Sequence, residues 1–209
     1  MFLVLYVDDI LLIGNGVGVM SSVKVWLSGQ FDMKDLGEAN FILGIKFWRD
    51  RKNKMLGLSQ ARYIDKVLER FSMQNSKKEL LPFRHGVPLF NDQRPKTQEE
   101  VNMMGQIPYA FVVGILMYVM LCTRPNIYYS VGMVSQYQSN PGTKHWQAVK
   151  HILKYLQRTR DYMLVYRFED LIPIGYTDSD FQSDLDFKKS TSGCVFTLRG
   201  GAISWRTIK

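Results

Sequence analysis

The sequence predicts an α+β fold, and three observations carry that prediction. Short runs rich in Val, Ile and Leu, bounded by charge, glycine or proline, occupy the two ends of the chain. Stretches of helical period fill its middle, and the strand runs follow one another through turn residues, as in antiparallel hairpins. With 209 residues, 46% of them hydrophobic and 22% charged, the chain can bury one good core or two small ones, and wholesale disorder is excluded.

The first element is Phe2-Leu-Val-Leu-Tyr6-Val7-Asp8-Asp9-Ile-Leu-Leu-Ile13-Gly14, two apolar runs broken by paired acids. Each run predicts a buried strand, with the acids at a hairpin tip. Adjacent aspartates repel each other and are a poor choice for a tight turn, which favours Asn-Gly or Asp-Gly. A cation would neutralise them, and magnesium, which takes one or two protein carboxylates and completes its shell with water and phosphate, is the natural candidate. The plainer alternative is a solvated turn. Gly14-Asn15-Gly16-Val17-Gly18 follows a strand and precedes a helix, where a phosphate-binding loop would lie. The dinucleotide fingerprint, however, wants a third glycine where Val19 stands. Ser21 or Ser22 can cap a helix that places Val23, Trp26, Leu27 and Phe31 on one face.

Phe41 to Trp48, a charged tip at Arg49 to Lys54 and Met55 to Ser59 predict a second hairpin. A helix follows, with Ile64, Val67, Leu68 and Phe71 inward and Arg62, Lys66, Glu69 and Arg70 outward. Asn75 to Gln106 holds Pro82, Pro88 and Pro95 and predicts a connecting segment, in which Thr97 and Glu100 can form a capping box. Helices are expected at Pro108 to Cys122, Pro125 to Tyr137 and Thr143 to Thr159. The first is apolar, but Ile107 to Cys122 falls short of the ~20 residues of a membrane span, so it is expected to be a buried core helix. In the third, Trp146, Val149, Ile152, Leu153 and Leu156 form an apolar face, while Lys150, Lys154 and Arg158 recur at i, i+4 and i+8 opposite. Such a stripe can follow a phosphate backbone or serve as a solvated face. Strands return after Pro173, with Asp178 inside the first of them and Gly200-Gly201 as a hairpin turn.

Lys and Arg number 27 against 19 acids, a formal charge of +8 with a pI of about 9.4. A polyanionic partner is expected, nucleic acid ahead of a membrane surface. Cys122 and Cys194 stand far apart without a histidine cluster, so neither a disulfide framework nor a zinc site is indicated, and a reducing interior compartment fits. No targeting signal and no membrane partner are expected.

The ordered series Tyr6-Val-Asp-Asp9, Phe31-Asp-Met-Lys-Asp-Leu-Gly37, Phe41-Ile-Leu-Gly-Ile45, Thr123-Arg-Pro-Asn-Ile127, His145-Trp146, Ile152-Leu-Lys-Tyr-Leu156, Gly175-Tyr-Thr-Asp-Ser-Asp180 and Lys189-Ser-Thr-Ser-Gly193 resembles the copia-type retrotransposon polyprotein. Tyr6 to Asp9 matches its Tyr-x-Asp-Asp reverse transcriptase signature, and the likeness covers essentially the whole chain. It implies part of a reverse transcriptase palm at 1–78, a connecting segment at 79–104, helical thumb and connection at 105–168, and the opening strands of a ribonuclease H sheet at 173–209. Asp8 and Asp9 match the palm carboxylates that bind metal and catalyse, and Asp178 matches the first carboxylate of the ribonuclease H site. The implied cofactor is Mg²⁺ or Mn²⁺. The implied partners are a template-primer duplex of RNA or DNA and, in the complete parent, deoxynucleoside triphosphates. The implied location is intracellular: cytoplasmic, in a virus-like particle for the complete parent, and nuclear as well. Asn126, Phe181 and Gln182-Ser183 depart from the family's usual residues without removing a catalytic group. The fingers, a further palm aspartate and the later ribonuclease H acids are not matched, so residues 1–209 alone are expected not to direct DNA synthesis. An enzyme fragment and a catalytically dead nucleic-acid-binding remnant are the two main functional classes; a dinucleotide-binding protein is the third.

Overall fold

The structure, a computed structural model, describes residues 1–84, 86–168, 172–181, 184 and 186–208. The chain is mixed α and β with antiparallel sheets, and divides into two compact units, Met1–Ile42 and Leu43–Lys209. Gln182 and Ser183, two of the departures noted above, lie outside the described residues.

The first unit pairs β1 (Phe2–Tyr6) with β2 (Asp9–Ile13) in an antiparallel ribbon whose register runs from Phe2↔Ile13 to Tyr6↔Asp9. It continues through α1 (Val17–Gln30) to the two-residue strand β3 (Phe41–Ile42). The expected buried strands are not buried here: β1 is exposed along its whole length, and no residue of this unit, all of it described, is buried. The reason is geometric. Successive strand residues point to opposite faces, so runs that are apolar at both parities need cover on both sides, and a two-stranded ribbon offers none. The cap is also displaced. α1 begins one residue after Gly16, without a side-chain cap, and Ser21 and Ser22 lie inside it, where Ser22 Oγ donates to the Gly18 carbonyl at 3.0 Å. Of its predicted apolar face, Val23 and Leu27 are half-buried, while Trp26 and Phe31 are exposed.

The second unit opens with β4 (Ile45–Asp50) and β5 (Met55–Ser59), an antiparallel hairpin in register Asp50↔Met55. The run predicted as one strand from Phe41 to Trp48 is broken at Leu43–Gly44, whose φ values are 51° and 73°. At the hairpin tip Asp50 Oδ1 accepts from Asn53 N at 3.0 Å and Oδ2 from Asn53 Nδ2 at 2.7 Å, which holds the carboxyl below the usual range. Next is α2 (Ala61–Arg70), with Ile64, Val67 and Leu68 buried and Arg62, Lys66, Glu69 and Arg70 exposed, as its period requires.

After a 3₁₀ turn at Asn91–Gln93, α3 (Gln98–Gly105) starts on the expected capping box: Glu100 N donates to Thr97 Oγ1 at 3.2 Å, and Thr97 N to Glu100 Oε2 at 3.3 Å. Then come α4 (Tyr109–Cys122), a 3₁₀ turn at Pro125–Ile127, α5 (Tyr128–Ser135) and α6 (Thr143–Arg158). Val112, Val113, Leu116, Val119, Val131, Val134, Val149, Ile152 and Leu153 from these helices are fully buried and form one core with α2. Among the described residues no single helix is long and apolar enough to cross a membrane; α3 and α4 together reach the length but are bent by 47°. α4 is the buried core helix its composition predicts.

The sheet elements that close the unit are β6 (Leu164–Arg167), β7 (Pro173–Ser179), β8 (Ser192–Leu198) and β9 (Gly201–Ile208). β6, which the sequence pattern does not announce, pairs antiparallel with β5 in register Leu58↔Leu164. β7, β8 and β9 form an antiparallel meander. Its second turn is Arg199–Gly200, with φ values of 48° and 81°, one residue earlier than Gly200–Gly201. β9 is tied to the rest of the unit: Trp205 Nε1 donates to the Met120 carbonyl at 2.9 Å and Tyr166 Oη to the Ala202 carbonyl at 2.7 Å.

Candidate metal and nucleic-acid sites

Asp8 and Asp9 arise from a turn only two residues long. Tyr6 and Asp9 are the last pair of the β1–β2 ladder, so Val7 and Asp8 form the bend and Asp9 opens the returning strand. Val7 has φ 50°, a conformation that crowds a β-branched side chain. Both carboxylates are exposed. The turn accepts backbone strain and presents both acids to solvent. Among the described residues no group of three or more His, Cys, Asp and Glu is placed to hold a metal ion. Two carboxylates alone match a magnesium shell that water and phosphate oxygens complete. Of the glycines that follow, Gly16 caps α1 and Gly18 lies inside its first turn.

Asp178 belongs to the second unit, in β7 opposite Gly193 of β8, and is exposed. Its neighbours have structural work that the sequence did not reveal. Asp180 Oδ1 accepts from Thr191 N at 2.6 Å, while Asp180 N donates to the Thr191 carbonyl at 2.9 Å. Asp184 is buried and accepts from Asp186 N and Phe187 N, each at 3.2 Å. Asp186 in turn accepts from Asn91 N at 2.9 and 3.0 Å and from Tyr137 Oη at 3.4 Å, which fastens the β7–β8 loop to the helices.

Lys150, Lys154 and Arg158 share α6. At ~100° per residue, the seven buried positions of this helix sweep an arc of roughly 200°, and the three cations fill the middle of what remains. The stripe is not equally open. Arg158 is exposed, whereas Lys150 and Lys154 are half-buried. The chain after α2 crosses the helix there: Glu79 N donates to the Lys154 carbonyl at 3.4 Å, and Ser76 Oγ to Gln157 Oε1 at 3.0 Å. Glu79 also lies 3.6 Å from His151 Nδ1 and 3.1 Å from Arg84.

His145 is fully buried, stacked on Tyr137 with ring centroids 4.0 Å apart. Gly142 N donates to its Nδ1 at 2.8 Å, so the proton sits on Nε2 and faces the Phe90 carbonyl at 3.3 Å. Burial keeps the imidazole neutral by lowering its pKa. Arg124 is buried as well; its guanidinium donates to the Arg160 carbonyl at 2.9 Å, and desolvation lowers its pKa. Sequence patterning finds a buried helix face but not which polar residues are buried with it.

The family model described as reverse transcriptase (RNA-dependent DNA polymerase) matches residues 1–85. The chain is 48% identical over 98% of its length to the Pol polyprotein of transposon TNT 1-94 from Nicotiana tabacum, and 31% identical over its whole length to that of transposon RE2 from Arabidopsis thaliana. It spans only 15% and 14% of those polyproteins. It is also 31% identical, over 98% of its own length and 82% of the relative's, to an uncharacterized mitochondrial protein of Arabidopsis thaliana. No solved structure matches. The family model and the transposon polyproteins agree, and the chain belongs to the reverse transcriptase family of copia-type retrotransposon Pol polyproteins.

Proposed function

We propose that residues 1–78 are part of the palm of an RNA-directed DNA polymerase, with Asp8 and Asp9 as metal-binding carboxylates of nucleotidyl transfer. The observation that carries the reading is the hairpin tip, where a strained Val7 and a two-residue turn leave both acids exposed. Residues 105–168 serve as thumb and connection against a template-primer duplex, and residues 173–209 open a ribonuclease H sheet in which Asp178 binds metal. The complete parent takes deoxynucleoside triphosphates and acts inside the cell, in a cytoplasmic virus-like particle and in the nucleus.

In this role Asp8 and Asp9 hold one side of a Mg²⁺ or Mn²⁺ shell, and Tyr6↔Asp9 pairing fixes where that side sits relative to the ribbon. Bound metal supplies alignment of the attacking hydroxyl with the α-phosphate and neutralises charge on the leaving pyrophosphate. The protein's own contribution is positional: Asp9 is fixed as the last paired residue of the ladder, and Asp8 sits next to it in the two-residue turn.

Manganese titration of the ¹⁵N-labelled chain tests the assignment without needing activity. Paramagnetic broadening is expected first at Tyr6 to Ile10 and is expected to disappear in D8N/D9N. Broadening that spares this turn, or survives the double substitution, refutes the metal role of the pair.

A further inference from the structure

Away from Asp178, the second unit carries a polar cavity of about 350 Å³ at the seam between α2 and the end of α6. Asp65 and Leu68 contribute from α2, Lys78 from the chain that follows it, and Gln157 and Arg158 from the last turn of α6, with Arg160 and Asp161 just beyond. The wall is already built around one ion-pair cluster. Arg160 reaches Asp65 Oδ1 at 3.1 Å and Asp161 at 3.5 Å, so its charge is matched by acids on both sides. Gln157 is likewise engaged: its Oε1 accepts from Ser76 and its Nε2 donates to the Gln74 carbonyl. Lys78 and Arg158 form no ion pair among the described residues, and both are exposed. Three cations against two acids leave the lining with one surplus positive charge, and that surplus lies on the two side chains that nothing else orients.

We propose that this cavity seats a backbone phosphate of a nucleic-acid strand, held by Lys78 and Arg158. The inference rests on the nucleic-acid reading above and changes where contact is made. The even stripe Lys150, Lys154, Arg158 is interrupted where residues 76–79 cross α6 and Glu79 approaches Lys154. Its exposed end is Arg158, and the cation that stands beside that end comes from a different element, Lys78. A guanidinium and an ammonium flanking one concavity suit a phosphodiester: the fork can take two oxygens while the point charge takes what remains. Asp65 and Asp161 face the same cavity, so a strand cannot sink its phosphates in series there, and the site holds one phosphate with its neighbours outside.

The test is salt-dependent binding of the 209-residue chain to a labelled RNA–DNA hybrid duplex. The K78Q/R158Q variant is expected to lose about one unit of log–log salt slope, the share of the single phosphate the cavity holds. K154Q is expected to leave the slope unchanged, and K78R/R158K to restore it. Circular dichroism of each variant controls for folding, since both positions are exposed. Binding by the unsubstituted chain with the same slope in K78Q/R158Q overturns the cavity assignment alone. No binding by the unsubstituted chain overturns the nucleic-acid reading and the cavity with it. A loss equal in K154Q and in K78Q/R158Q returns the contact to the α6 stripe and also overturns the assignment.

Discussion

A valine at φ 50° is a residue in the wrong conformation unless something requires the turn it makes. Left-handed backbone costs an L-residue roughly 1–2 kcal/mol, and Asn bears it better than a β-branched side chain. V7N is therefore expected to stabilise the β1–β2 ribbon by about 1 kcal/mol, read as slower amide exchange at Tyr6 and Asp9; faster exchange would mean that Val7 contributes packing that outweighs its strain. His145 makes a second prediction at this scale. Its imidazole is neutral and hydrogen-bonded on both nitrogens in the folded chain, with a pKa below the ordinary value of 6.5, whereas the unfolded chain titrates normally. Between those two pKa values the unfolded state binds the extra proton, so this contribution is whole above about pH 6.5 and declines as pH falls toward the folded pKa. His151, also lowered by burial, acts in the same direction. The urea midpoint should fall from pH 7.5 to pH 5.5, and H145F should flatten that fall. H145F should also cost about 1–3 kcal/mol at pH 7.5, because Gly142 N and the Phe90 carbonyl lose their partner.

At the scale of elements, what was legible in the sequence depended on how locally each element is specified. The capping box of α3 lies within four residues, and its hydrogen bonds form as Thr97 and Glu100 imply. The faces of α2 and α6 follow from period alone, because a buried stripe that wide must meet a core. β6 has no such local warrant: Leu164–Arg167 is a strand because β5, distant in the chain, offers it an edge. The turn at Arg199–Gly200 was misplaced by one residue because a non-glycine takes the first left-handed position. For the candidate sites the same division holds. Asp8 and Asp9 were legible as an anomaly between two strands, whereas the Lys78–Arg158 cavity depends on a loop crossing a helix and leaves no spacing to read. The meander shows a gradient the sequence could not supply. β7 is exposed at all seven residues, but Ala202 in β9 is buried, and a Cβ at Gly201 would stand 2.4 Å from the Val165 carbonyl. Amide exchange should therefore be fastest in β7 and slowest in β9. G201A should force β9 away from β6 and raise exchange at Ala202 and Trp205; unchanged protection there would mean that pairing with β8 and the Trp205–Met120 bond hold the strand without close packing at Gly201.

For the whole molecule, the division into two units predicts that it does not unfold as one. Residues that bury apolar surface gain roughly 25 cal/mol per Å² against a backbone entropy cost of about 1–2 kcal/mol per residue, and the balance is favourable only where burial is extensive. Leu43–Lys209 holds the whole fully buried cluster of α2, α4, α5 and α6. Met1–Ile42 holds none: Phe2, Leu5, Val7, Trp26 and Phe31 are all more than half exposed. Its ladder and helix are maintained by backbone hydrogen bonds and turn geometry, which in water contribute little net stability. Local opening of this unit should therefore lie near zero free energy while the α4–α6 core opens only with global unfolding. In urea the β1, β2 and α1 amides should lose protection well before those of α4 and α6, and a brief protease treatment should cut within residues 1–42 while leaving the helical core intact. Adding a partner surface that covers both faces of the β1–β2 ribbon should close that gap, since the runs Phe2–Tyr6 and Asp9–Ile13 are apolar on both sides. Equal protection of β1 and α4 in the chain alone would mean that the two units share their stability, and the exposed ribbon would then need another explanation.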